Sequence, residues 1–90
     1  MKYKFKNDDE LREYVDDTFE EDIVYFPGYS KDVIGMSHDS RLIYSFDNLI
    51  RVIGGEYIEA VAEIEQNLMA QIPYLGEHAP IIMYDVGYGN

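Results

Sequence analysis

The sequence holds no cysteine, no tryptophan and only two histidines in 90 residues. Without cysteine, neither a disulfide framework nor a thiolate metal site is open to it, which suits a reducing cytoplasm. Base is scarce as well. Seven Lys and Arg stand against 18 Asp and Glu, a net charge of -11 with a pI near 4.3. Phosphate binding needs a Lys/Arg surface, so nucleic acid and anionic membrane are disfavoured as direct partners and basic proteins are favoured. No apolar run reaches the length of a membrane span, and the opening "MKYKFKNDD" is alternating and charged, unlike a secretory h-region. Neither export nor spanning is expected, and a cytoplasmic protein is.

What is present is enough to fold. An apolar fraction of 47% with 14% aromatics argues against acidic disorder. The length suits one domain over residues 1–90, with a single modest core and no room for a deep substrate cleft.

Period-two alternation of Lys2, Lys4 and Lys6 with Tyr3 and Phe5 fits a short edge strand. Asn7 followed by Glu10 is a capping-box pattern, and Leu11, Tyr14, Val15 and Phe19 recur at helical spacing, so a helix is expected from Asp8 to about Glu21. Pro27-Gly28 marks a turn. "VIGMS" and "RLIYS", separated by His38-Asp39-Ser40, form a candidate hairpin. Ser45 can cap a short helix, "FDNLIRVI", closed by Gly54-Gly55. From Glu56 to Gln71 a stripe of Tyr57, Val61, Ile64, Leu68 and Ile72 predicts a longer helix, with Pro73 stopping it. "IIMYDV" reads as a closing strand. The expected fold is α+β in the order β-α-β-β-α-α-β, a three- or four-stranded, mainly antiparallel sheet with helices on one face.

The stretch "NDDELREYVDDTFEED" puts nine carboxylates in sixteen positions against a single Arg. On a helical wheel, Asp9, Glu10, Glu13, Asp16, Asp17, Glu20 and Glu21 lie opposite the apolar residues. Asp9, Glu13, Asp17 and Glu21 form a like-charge ladder, and Asp16 with Glu20 adds another repulsive contact. Together these contacts cost roughly 1 to 2 kcal/mol, offset in part by Arg12 with Asp8 and Asp16. A merely solvated face interleaves lysines. Carboxylates at about one per 2.5 to 3 Å of axis approach the phosphate spacing of duplex DNA, about one per 1.7 Å, so the face is suited to mimic a nucleic acid toward a basic groove. The plainer reading is a solvated helix in an acidic protein.

Nine tyrosines are a second feature, and Tyr25, Phe26 and Tyr29 around the Pro-Gly turn read as an aromatic contact loop. In a small domain such rings also line the core's periphery. Catalytic constellations are thin. His38-Asp39-Ser40 holds triad residue types, but neighbours on one turn cannot supply triad geometry. His38 and His78 could share a metal with a carboxylate only if turn and loop meet. No enzyme, cofactor or metal is expected.

At "IGMSHDSRLIYSFDNLI" and "AEIEQNLMAQIPYLGEHAPIIMYDV" the chain resembles a family of short, acidic, uncharacterised bacteriophage and prophage proteins. The features fall on Ile34-Gly35, Arg41 to Tyr44, Glu63 to Asn67, Pro73-Tyr74 and Pro80-Ile81-Ile82, within about Val33 to Val86. Leu68 stands where the family tends to have Thr. The resemblance assigns no functional residue. It implies a setting, a host cytoplasm in which small acidic phage proteins occupy nucleic-acid grooves of defence proteins such as CRISPR effectors. Asn67 and Tyr74 read as structural, satisfying backbone groups where the helix gives way to the last strand. The expectation is a non-enzymatic, nucleic-acid-mimicking inhibitor of a basic host protein. Asp9, Glu13, Asp16, Asp17, Glu20 and Glu21 would supply its charge, and Tyr25, Phe26 and Tyr29 its apolar anchors. The alternative is a structural or self-assembling homo-oligomer with a solvated acidic surface.

Overall fold

The computed structural model describes residues 4–19 and 22–84. The fold is a small α+β domain built from three α-helices and a three-stranded sheet. Helix α1 runs Asp8–Thr18, a 3₁₀ turn spans Ser30–Asp32, and strands β1 (Val33–Met36) and β2 (Leu42–Ser45) form the expected hairpin. Helices α2 (Phe46–Ile53) and α3 (Tyr57–Glu63) follow, α3 continues through a π turn (Ile64–Leu68) and a 3₁₀ stretch (Met69–Tyr74), and β3 (Ile81–Met83) closes the sheet.

Local signals act as their chemistry requires. Asn7 Oδ1 accepts the Glu10 N–H at 2.9 Å and so caps α1, while Glu10 Oε1 reaches back one residue beyond the cap to accept the Lys6 N–H at 2.9 Å, a shifted form of the expected capping box. Ser45 ends β2 and caps α2 through the Asn48 N–H at 3.2 Å. Gly54, at φ 73, closes α2 in a conformation that costs a side-chain-bearing residue more. Pro27 and Gly28 occupy the centre of a turn closed by the Tyr29 N–H on the Phe26 carbonyl at 3.2 Å, with Gly28 at φ 87 as a type II turn demands.

The sheet departs from expectation in its pairing. β1 and β2 are antiparallel, but β2 and β3 run parallel in register Ile43↔Ile81, Tyr44↔Ile82 and Ser45↔Met83, so the sheet is mixed rather than mainly antiparallel. A parallel neighbour needs a long crossover, and the helical stretch between β2 and β3 supplies it. β1 carries a bulge: Val33 faces Tyr44 and Gly35 faces Ile43, leaving Ile34 unpaired and outward. The strand expected over 2–6 does not form at Lys4–Lys6, where Phe5 is buried between exposed lysines without a strand partner; its first residues lie outside those described.

The long helix also differs from a single α-helix over Glu56 to Gln71. Its buried stripe is Ala60, Ile64 and Leu68, and Tyr57 stands 67% exposed. Residues spaced by four drift about 40° per step on an α-helix, and widening to about 4.4 residues per turn brings them back onto one face. The π turn at Ile64–Leu68 makes that correction. Pro73 sits inside the 3₁₀ stretch rather than ending the run before it, and Tyr74, 86% exposed, satisfies no backbone group there. Phe5, Leu11, Val15, Phe26, Val33, Leu42, Tyr44, Phe46, Leu49, Ile64 and Leu68 form one core, and α2 rests on β2, α3 and the first 3₁₀ turn. Among the described residues no helix is long and apolar enough to cross a membrane.

Candidate functional site: the acidic face of the first helix

Helix α1 buries Leu11 and Val15 and turns Asp9, Glu13, Asp16 and Asp17 to solvent. Its single base, Arg12, lies 3.1 Å from Asp9 rather than on Asp8 or Asp16 as expected, with both partners largely exposed. Such a pair contributes little, so it screens the face weakly. The helix ends at Thr18, short of the expected Glu21, with no basic residue in its last turn. Asp16 and Asp17 there oppose the negative end of the helix dipole, a physical reason for the early stop. Glu20 and Glu21 lie outside the described residues, so the described charge array runs from Asp9 to Asp17.

Asp8, expected from sequence to pair with Arg12, is turned instead toward the Pro-Gly turn. Its carboxylate accepts the Gly28 N–H at 2.9 Å and the Ser30 hydroxyl, tying the first turn of α1 to the Pro-Gly turn and the 3₁₀ turn behind it. Charge-assisted hydrogen bonds of this kind contribute about 1.5 to 3 kcal/mol, so Asp8→Ala is expected to lower unfolding free energy by about that amount, read by urea denaturation, while the outward charges stay in place.

The aromatic loop does not form the free contact surface that its sequence suggests. Phe26 is 3% exposed, its ring 5.1 Å from that of Tyr44, and it is core; this corrects its assignment as an apolar anchor. A ring following β-rich sequence is drawn inward because the adjacent turn places it over the central strand. Tyr25 and Tyr29 are half-buried and pack against the same core. Burial raises the Tyr29 phenol's pKa, with Glu63 and Asp32 adding to the effect. The charged and aromatic groups expected to act together are therefore unlike in access: the carboxylates are open and the rings are mostly covered.

The histidine constellations resolve into hairpin chemistry. Ser37 Oγ donates to Asp39, the main reason that the Asp39 pKa is lowered, and Ser40 sits at φ 63 in the loop before β2. His78 Nδ1 lies 3.2 Å from the Ser40 carbonyl, and Arg41 Nε donates to the Ala79 carbonyl at 2.7 Å. Turn and loop do meet, but through backbone carbonyls. Among the described residues no group of three or more His, Asp or Glu is placed to hold a metal ion.

Sequence reading missed Asp32. It is fully buried at the end of the 3₁₀ turn, and neither carboxylate oxygen has a hydrogen-bond partner. Burial pushes its pKa up to about 6 against the weaker opposing pull of Lys31 and Arg51. An acid between Lys31 and the apolar "VIGM" carries no pattern that marks it as interior. No family model, curated protein or solved structure matches the chain.

Proposed function

We propose that this chain is a non-enzymatic binding module whose acidic α1 face mimics a nucleic acid toward a basic, nucleic-acid-binding host protein, of the class of CRISPR effectors and other defence enzymes. The observation that carries the reading is the pairing of an open carboxylate row, Asp9, Glu13, Asp16 and Asp17, with a helix fixed to the core by Leu11, Val15 and Asp8. A fixed row of like charge is self-repulsive, and a Lys/Arg-lined groove relieves that repulsion. The resemblance to bacteriophage proteins supports a host target inside the cytoplasm. Contact is electrostatic, and half-buried Tyr25 and Tyr29 are the aromatic groups left to add apolar contact.

The test is affinity capture from a bacterial lysate at low and high salt, comparing the wild type with a variant carrying Asp9→Asn, Glu13→Gln, Asp16→Asn and Asp17→Asn. A partner retained at low salt, lost at high salt and lost with the variant is expected, because surface charge contacts fade within a Debye length of about 8 Å at physiological ionic strength. The variant is expected to be as stable as the wild type or more so. A partner held equally by both proteins would sink the proposal.

A homo-oligomer is favoured by a separate observation. Val52, Tyr57 and Ile58 are 44%, 67% and 76% exposed on either side of the α2–α3 junction. Sedimentation without any partner distinguishes it: mass that rises with concentration supports self-assembly, and a constant monomer supports the binding module.

A further inference from the structure

Asp32 has no role in the acidic face, yet it is the most anomalous group among the described residues: 0% exposed, with both oxygens unpartnered. A carboxylate so placed must either hold a proton or draw in a cation or water. Its position makes that choice consequential. Ser30, first residue of the same 3₁₀ turn and also buried, donates to Asp8 of α1, and the turn packs on α2. In the last turn of α2, exposed Arg51 bonds Asn48 Oδ1 at 2.9 Å, close enough to Asp32 to favour its ionised form. The other charged and titratable groups about it are Lys31 on the turn itself, Tyr29 preceding it and Tyr44 of β2. Glu63 of α3 acts on Tyr29, and Asp8 and Tyr25 act on Tyr44.

We propose that Asp32 is a proton-operated latch. Neutral, it lets the 3₁₀ turn close on α2 and hold the first turn of α1 through Ser30 and Asp8; ionised, it opens that contact to Arg51 and solvent. The latch belongs to the isolated chain and is tested without a partner, so its failure and that of the binding proposal are separable.

The sign follows from which state holds the proton more tightly. Below the ordinary aspartate value of 3.8 both folded and unfolded chains are protonated, and the stability from Asp32 is fully present. Between that value and about 6 the unfolded chain ionises first, so stability falls as pH rises; above about 6 the loss is complete.

The experiment follows the Asp32 carboxyl carbon and the Gly28 amide by NMR from about pH 4 to 8 in the wild type, Asp32→Asn and Arg51→Gln, with urea denaturation alongside. The wild-type carboxyl is expected to titrate near pH 6. Gly28 exchange, corrected for its intrinsic pH dependence, is expected to quicken with the same midpoint, and Asp32→Asn to abolish that step. Across this range the wild-type unfolding constant is expected to rise about a hundredfold relative to Asp32→Asn. Arg51→Gln removes a cation that favours ionisation, so it is expected to move the midpoint upward. Should Asp32→Asn fail to fold, the wild type against Arg51→Gln decides. A carboxyl titrating below about pH 4.5, or Gly28 protection indifferent to its titration, overturns the latch.

Discussion

Replacing Tyr44 with Ala is expected to lower the unfolding free energy by about 3 to 5 kcal/mol, and replacing it with Phe by about 1 to 3 kcal/mol, both read by urea denaturation. Tyr44 is 0% exposed on the central strand, paired with β1 on one side and β3 on the other. Its ring packs on Phe26, and its hydroxyl accepts the Phe26 N–H at 2.9 Å. Alanine leaves a cavity that three strands cannot jointly close. Phenylalanine preserves the ring but leaves a buried N–H without an acceptor, just where the Pro-Gly turn begins. Burial, the largest cause, also raises the phenol's pKa above the ordinary 10.0. With the folded-state value raised, its stabilisation is full below the ordinary 10.0 and is lost as pH rises from there through the folded-state value, so the wild type is expected to weaken at strongly alkaline pH through this group. Tyr44→Phe removes that alkaline loss. Equal midpoints for wild type and Tyr44→Phe would show that the Phe26 N–H finds another partner.

Where the fold was legible in sequence, the signal was local. Asn7 needs only the Glu10 N–H and Glu10 only the Lys6 N–H to announce a helix start, Ser45 needs only Asn48, and Gly54 needs only the end of its own helix. The hairpin was legible because "VIGMS" and "RLIYS" are joined by three residues. The direction of β3 was not legible, because apolar Ile81 and Ile82 suit either neighbour direction and the crossover alone decides it. The π turn was hidden for a related reason. Ala60, small enough to be passed over in a stripe led by Tyr57, proves to be the buried residue from which the spacing of four is counted.

The candidate site divides along the same line. Exposure of Asp9, Glu13, Asp16 and Asp17 follows from helical spacing alone, since Leu11 and Val15 fix which side faces inward. Asp8 could not be assigned that way. It shares the composition of its neighbours, and only the distant Gly28 and Ser30 show it to be a tether. Phe26 and Asp32 are misread for the same reason: an aromatic beside a turn invites a surface reading, and so does an acid beside a lysine, yet both are interior.

Leu11→Ala separates charge content from charge geometry, and it is expected to lower stability by about 2 to 5 kcal/mol while altering no charge. Leu11 is 0% exposed, and with Val15 it is the buried contact of α1. Isolated helices shorter than about 12 to 15 residues are marginal even with favourable sequences. α1 has 11 residues, repulsive pairs and no base in its last turn, so its helicity depends on docking. The expected result is a partly melted α1, seen as loss of far-UV CD and faster amide exchange over Asp8–Thr18, in a domain still held by the sheet and α2. Binding to the captured partner is then expected to fall at least tenfold, because a melted segment must be reordered before its carboxylates match a groove. The neutralised variant, by contrast, keeps the helix and loses the charge. If Leu11→Ala melts α1 yet binds as tightly as the wild type, the partner reads net charge alone and the spacing of the carboxylates is immaterial; if both variants fail, charge and helix are each required, as a nucleic-acid mimic demands.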